Sequence, residues 1–427
     1  MDGYAAYILN APPRTLVINV YLAKVYTAGV SPTYRKFPHL VLGETGHHAI
    51  CGRCCGILPA GIGKEPMAST PVRIPWWAWT WPLVACTVLV LQLLLGSGGP
   101  LAAAEAFALI ATVFAAVYHA EVVAFRVGEP FGTLVLAAAV TIIEVALIVS
   151  VMITGGPENA ELARDTVFAA VMIVCNGIVG LCLLAGGMRH REQAFQLQGA
   201  NAALVVLIAL TTLTMVFPQV TTTTEGPTFS PVQLIFAATV SLVLYASFLF
   251  VQTVRHRDFF LPASGGTEEA HAPPPSNKLA LLSAALLLVS LVAVVALAKA
   301  LTPIMESGIE KAGAPKSVVG IAIAGLVLLP EGLAALRAAR ANRLQTSMNL
   351  ALGSALASIG LTIPAVAAVS LLLHKPLSLG INAKEGVLLA LTLLVSVITL
   401  GTGRTTVLQG IVHLVIFAVF IFLSIVP

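Results

Sequence analysis

Hydrophobic positions in this chain come in long runs, and polar ones gather in the short gaps between them. From Pro75 onward the gaps are built of turn-forming residues: GSGGP at 96–100, GGPEN at 155–159, TTTTEGPT at 221–228 and HKPLSLG at 374–380. The runs between them approach the roughly 20 residues that a helix needs to cross about 30 Å of hydrocarbon. The pattern predicts spans near 77–97, 101–125, 130–154, 165–187, 199–218, 231–254, 279–300, 317–337, 347–373, 384–401 and 405–426, eleven in all. Composition agrees: 58% of residues are hydrophobic and 10% charged, whereas a soluble domain carries about 25% charge. The expected class is an all-α polytopic membrane protein.

Lys and Arg in short loops mark the cytoplasmic side. With the N-terminus inside, the inner loops hold Arg73, Arg126, Arg189, Arg191, Arg255, Arg257, Lys278, Arg337, Arg340, Arg343 and Arg404, against Arg164, Lys311, Lys316, Lys375 and Lys384 outside. That bias places the N-terminus in the cytoplasm and the C-terminus in the periplasm, with the chain in an inner (plasma) membrane. The longest inner loop, 255–278 (RHRDFFLPASGGTEEAHAPPPSNK), reads as a flexible linker from its Pro, Gly and acidic content. It divides the spans after the first into two groups of five. Because five is odd, the two groups have opposite topologies, which is the arithmetic of an inverted repeat. The expected organisation is one leading helix plus two inverted five-helix repeats, over 67–254 and 279–427.

Two charges stand alone inside apolar runs. Glu144 lies 14 residues past Pro130, about 20 Å deep at 1.5 Å per residue, near the middle of the hydrocarbon. Glu331 is the single interior charge of GIAIAGLVLLPEGLAAL, 320–336. They occupy corresponding spans, the second of each group. An intramembrane carboxylate is expensive and usually faces a partner or a watery path. Such a carboxyl is neutralised by a proton or by a cation and not easily by both, so one site read from alternate sides suffices for exchange. The expected site is therefore Glu144 and Glu331 as shared cation and proton ligands.

The residues around Glu144 carry a resemblance. EVVAFRVGEPFGTLVLAAAVTIIEVALIVS, 121–150, resembles the first signature repeat of the cation/proton exchanger (CAX) family: a glutamate (Glu121), eight residues on a Gly-Glu pair (Gly128–Glu129), and fifteen further on the glutamate of G-N-x-x-E (Glu144). The second repeat is similar, with Gly353–Ser354 22 residues beyond Glu331 in ALGSALASIGLTIP. ARDTVFAAVMIVCNGIVGLCLLAGGMRHREQ, 163–193, resembles the bacterial ChaA-type calcium/proton and sodium–potassium/proton antiporters. The resemblance covers roughly 75–427 and implies an antiporter that exports Ca²⁺, or Na⁺ or K⁺, against H⁺. The chain departs from the motif at Val140–Thr141 and Val327–Leu328, where the family has Gly-Asn. Two amides are thus missing, and Ca²⁺ wants about six to eight oxygens. Backbone carbonyls, water, Asn176, Ser354 and Ser358 are expected to supply the rest. Pro330 supports Glu331 by disrupting the helix beside it. His119, Glu121 and Glu129, near the inner end of their span, are the candidates for a gate or proton relay.

Other features add little chemistry. Residues 1–66 differ in composition from the rest of the chain, and MASTPVRIPWWAWTWPLV from Met67 reads as a natural start, so the extension is read as an overcalled start or a disordered segment. Its His47, His48 and CGRCC lack the second ligand pair of a zinc site. Trp76, Trp77, Trp79 and Trp81 read as an interfacial belt, Glu306 and Glu310 as solvated, and His413 as a packing residue. No cofactor is expected, and the partners are inorganic cations, protons and the lipid bilayer, not nucleic acid. A channel would want a selectivity loop, and an intramembrane hydrolase would want a paired nucleophile and base or a metal motif such as H-E-x-x-H. A sodium/calcium exchanger is the near alternative, with the same fold and different polar ligands.

Overall fold

Within hydrocarbon every backbone N–H and C=O must find its partner inside the segment, so apolar runs of this length have helix as their outlet. The computed structural model describes residues 74–96, 99–128, 131–154, 160–224, 226–261, 275–311, 313, 315, 317–375 and 377–426. The segment 1–66, Glu129 and most of the 255–278 linker lie outside the described residues. Eleven long helices are present among them: α1 Trp76–Leu95, α2 Pro100–Val127, α3 Phe131–Thr154, α4 Leu162–His190, α5 Leu197–Val220, α6 Pro231–Arg255, α7 Asn277–Lys311, α8 Ser317–Arg340, α9 Leu344–Leu373, α10 Ala383–Leu400 and α11 Val407–Ile425. Ten are long and apolar enough to cross a membrane, and α3 adds the apolar stretch Ala138–Ser150.

The bundle turns its large apolar side chains outward. Leu93, Leu94, Val232, Leu281 and Leu372 are exposed, while small residues such as Ala115, Ala120, Ala163, Ala169, Ala335 and Ala355 are buried. In a membrane this is the expected arrangement, since lipid is as apolar as leucine and close helix approach favours small residues. Of the four tryptophans, Trp76 and Trp79 face out. Trp77 and Trp81 instead pack edge-on against Tyr118 and Phe107 of α2, each with ring centroids 5.3 Å apart. The belt read from sequence is thus half a helix–helix contact.

The two five-helix groups exchange partners. The first helices of the groups, α2 and α7, pack on each other. The third helix of each packs on the fifth of the other, α4 on α11 and α9 on α6. The loop before the fourth helix of the first group and the loop before the last helix of the second also meet. Gln193–Ala194 (β1) and Arg404–Thr405 (β2) pair antiparallel, Gln193 opposite Thr405. At that end Gln193 Nε2 donates to the Ala339 carbonyl at 2.9 Å, and Asn349 Nδ2 to the Phe260 carbonyl at 2.7 Å. At the opposite end Arg164 holds Glu161 at 3.0 Å and Asp165 at 2.8 Å, and donates to the Gly380 carbonyl at 3.2 Å.

Two boundaries differ from the sequence expectation. α7 runs on to Lys311, so Glu306 and Glu310 lie on its last turns and not in a loop. The linker's first residues are folded: Arg257–Phe260 forms a 3₁₀ turn, and Phe260 is buried with its ring 5.9 Å from that of Phe248. Three of the helices carry a π-helical turn in their interior, at Ile173–Ile178 in α4, Thr212–Val216 in α5 and Ser358–Thr362 in α9. Such bulges break the i, i+4 ladder locally and re-aim side chains.

Candidate cation site

α9 brings the two glutamates together. Ser354 and Ser358 are one turn apart on the same face of α9, since four residues at 1.5 Å rise advance the helix by about 6 Å. Ser354 Oγ donates to Glu331 Oε2 of α8. Ser358 Oγ donates to Glu144 Oε2 of α3 at 2.8 Å. The carboxyls are thereby held on successive turns of one face of α9. Glu144 is 2% exposed, with Ser358 3% and Ser354 8%; Glu331 is partly accessible. Chemically the pair suits one divalent cation, or protons in its place.

Local backbone explains why oxygen is available here. Pro330 sits inside α8 immediately before Glu331. Lacking an N–H, it leaves the carbonyl of Leu326 without its helical donor. Ser358 opens the π turn of α9, and Pro364 follows two residues after its end. Gly332, next to Glu331, lets α4 approach: a Cβ built there would meet Ile178 Cδ1 at 3.0 Å. Ile178 closes the π turn of α4, so that turn packs directly against the helix bearing Glu331.

The structure brings Glu144, Glu331, Ser354 and Ser358 into one site, with Pro330 beside it. Gly353 lines a small crevice with Gln345 and Asn349. Other residues singled out in the sequence lie elsewhere. Asn176, expected to add a ligand, is fully buried in the π turn of α4, and its amide is used by other side chains. Nδ2 donates to Thr392 Oγ1 at 2.9 Å, and Oδ1 lies 3.2 Å from His413 Nδ1. His413 Nε2 in turn lies 3.2 Å from Thr399 Oγ1. With Oδ1 toward the ring, Nδ1 is the donor and Nε2 accepts the Thr399 hydroxyl proton. Asn176 thus joins α4 to α10 and α11. His119 is not at a water-facing end: it is buried, with Nε2 3.0 Å from the Ala78 carbonyl of α1. Glu121 is exposed on α2, within electrostatic reach of Arg337 of α8. Sequence reasoning passed over Thr362, whose fully buried hydroxyl stands against the Glu144 carboxyl. Its spacing, i+4 from Ser358 and i+8 from Ser354, was the signal available.

Comparison with known proteins meets this geometry from another side. The profile of the family described as sodium/calcium exchanger protein matches residues 100–254 and again 282–426, one match per five-helix group. The y4hA protein of Sinorhizobium fredii, named as an ionic transporter, is 52% identical over 372 residues, covering 85% of this chain and all of that protein. The sodium-potassium/proton antiporter ChaA of Escherichia coli is 36% identical over 349 residues, 80% of this chain and 93% of its own length. The crystal structure of an H⁺/Ca²⁺ exchanger CAX superposes with a TM-score of 0.60 at 16% identity, covering 81% of this chain and 93% of that one. A doubled family match on two inverted five-helix groups makes the chain a secondary transporter that belongs to the sodium/calcium exchanger family, of the cation/proton exchanger type.

Proposed function

We propose that the chain exports Ca²⁺ in exchange for H⁺ by alternating access, with Glu144 and Glu331 as the shared site. The observation that carries this reading is the pair of neighbouring intramembrane carboxyls, one from each inverted half, each held by a serine of α9. One Ca²⁺ or two protons cancel the same two charges. The doubly charged empty site is the state most costly to carry through the membrane interior, so the halves rock readily only when it is filled. Coupling then follows from charge balance, and no covalent step is needed. Everted membrane vesicles under an imposed pH gradient test it: Ca²⁺ uptake that collapses with the gradient is expected, and uptake indifferent to the gradient would overturn it.

A second reading, Na⁺ or K⁺ in place of Ca²⁺, is favoured by a specific observation. Threonine (Thr141) and leucine (Leu328) stand where the family's motif has its two asparagine amides, and the Asn176 amide is bonded to His413 and Thr392. Such a site meets the about six to eight oxygen ligands of Ca²⁺ less fully. The ChaA relative is named for sodium, potassium and protons. The same vesicles, offered Na⁺ or K⁺ instead, decide between the readings by which ion discharges the gradient.

The Lys/Arg bias assigns the end of the bundle bearing β1 and β2 to the cytoplasm. Topology reporters fused after Arg257 are expected to read cytoplasmic and those after Pro427 periplasmic. Both on one side of an inner membrane would contradict the eleven-span path.

A further inference from the structure

The Glu144 carboxyl is only half satisfied. Oε2 accepts from Ser358, whereas Oε1 is enclosed by protein and has no hydrogen-bond partner. An unpaired carboxylate oxygen shut away from water is strongly unfavourable unless something fills the place it faces. Thr362 Oγ1, 0% exposed as a residue, stands beside the same carboxyl and makes no bond of ordinary hydrogen-bond geometry to it or to any other group. This is not how buried helical threonines behave elsewhere in the bundle. Thr112, Thr166, Thr211 and Thr214 are as deeply buried, and each donates to the carbonyl four residues earlier at 2.6–2.8 Å. Thr362 ends the π turn, where the backbone ladder is out of α register, and its hydroxyl does not fold back onto its own helix.

We propose that Thr362 is a ligand of the transported cation, closing with Glu144 Oε1 the side of the site that Ser358 leaves open. The proposal rests on the exchange reading above. A hydroxyl suits both occupancies of the site. It offers lone pairs to a cation beside ionised Glu144, and it accepts the O–H of Glu144 when a proton has replaced the cation. A carboxylate in the same place would add a charge that the proton-loaded state must also neutralise, which a hydroxyl does not.

The test is the initial rate of uptake into everted vesicles carrying the full chain, titrated with CaCl₂ and, separately, with NaCl and KCl. Thr362→Val keeps shape and removes the oxygen, and is expected to raise the apparent KM for the transported ion roughly tenfold, the cost of one buried polar contact. Thr362→Ser, which restores the hydroxyl, is expected to bring the KM back. KM does not depend on how much protein reaches the membrane, so weaker insertion of the valine variant leaves the comparison intact. An unchanged KM in Thr362→Val, or an equal rise in Thr362→Ser, overturns the assignment. If Thr362→Val is unchanged while Glu144→Gln is dead, the exchange reading stands and Thr362 falls. If Glu144→Gln also transports normally, the reading itself falls.

Discussion

Vesicles carrying Glu144→Gln or Glu331→Gln are expected to show no pH-driven cation uptake, and no cation-driven proton movement either. Glutamine keeps the size and hydrogen-bonding capacity of the side chain, so Ser358 and Ser354 keep an acceptor. What is lost is the charge that a cation or a proton must cancel, and both directions of exchange depend on it. Insertion should not suffer, because a neutral amide is cheaper to bury in a membrane than a charged carboxylate. Glu→Asp at either position is expected to leave residual exchange with an altered cation preference, since the carboxyl retreats by one methylene in a site whose Ca²⁺ contacts span about 2.3–2.6 Å. Near-normal proton-coupled flux in both glutamine variants would make the pair structural and remove the proposed mechanism.

Gly410→Val is expected to produce the largest loss of stability among the single substitutions considered. A Cβ at Gly410 of α11 would lie 2.5 Å from the Leu184 backbone N and 2.9 Å from the Gly180 carbonyl oxygen of α4. These are backbone atoms of a facing helix, so no side-chain rotation relieves the clash and the helices must part. Overpacking of this kind costs about 1–3 kcal/mol, which lowers the thermal midpoint by roughly 2–4 °C per kcal/mol. Part of the effect should reach transport. α4 carries Asn176, which contacts His413 of α11, and Ile178, which packs on Gly332 beside Glu331. Thermal unfolding of the detergent-purified chain checks it, with Gly386→Ala as the control, where an added Cβ meets nothing within 4 Å. Equal midpoints for the two variants would show that the α4–α11 crossing tolerates separation.

The eleven helices and the lone glutamates in matching spans were legible in the sequence for one reason. Hydrophobic length and isolated charge are local properties, and the bilayer converts them directly into helices and depth. Turn chemistry at GSGGP and TTTTEGPT set the breaks in the same local way. The orientation of side chains within the bundle is another matter. A span that is apolar all round has no amphipathic face to say which residue looks inward, so the contacts of Asn176 with Thr392 and His413 were not legible in it. His119 read as a gate or relay candidate near the end of its span, and α1 covers it. The hydrogen bond between Ser358 and Glu144 joins residues 214 apart, from opposite halves of an inverted repeat. Nothing in the local pattern could pair them. By itself the sequence determined the long apolar helices and that Glu144 and Glu331 lie inside two of them. Which hydroxyls meet those carboxyls, and that Thr362 is among the oxygens left open toward them, was decided only when α9 packed between α3 and α8, because hydrogen-bond partners across helices are set by packing in three dimensions.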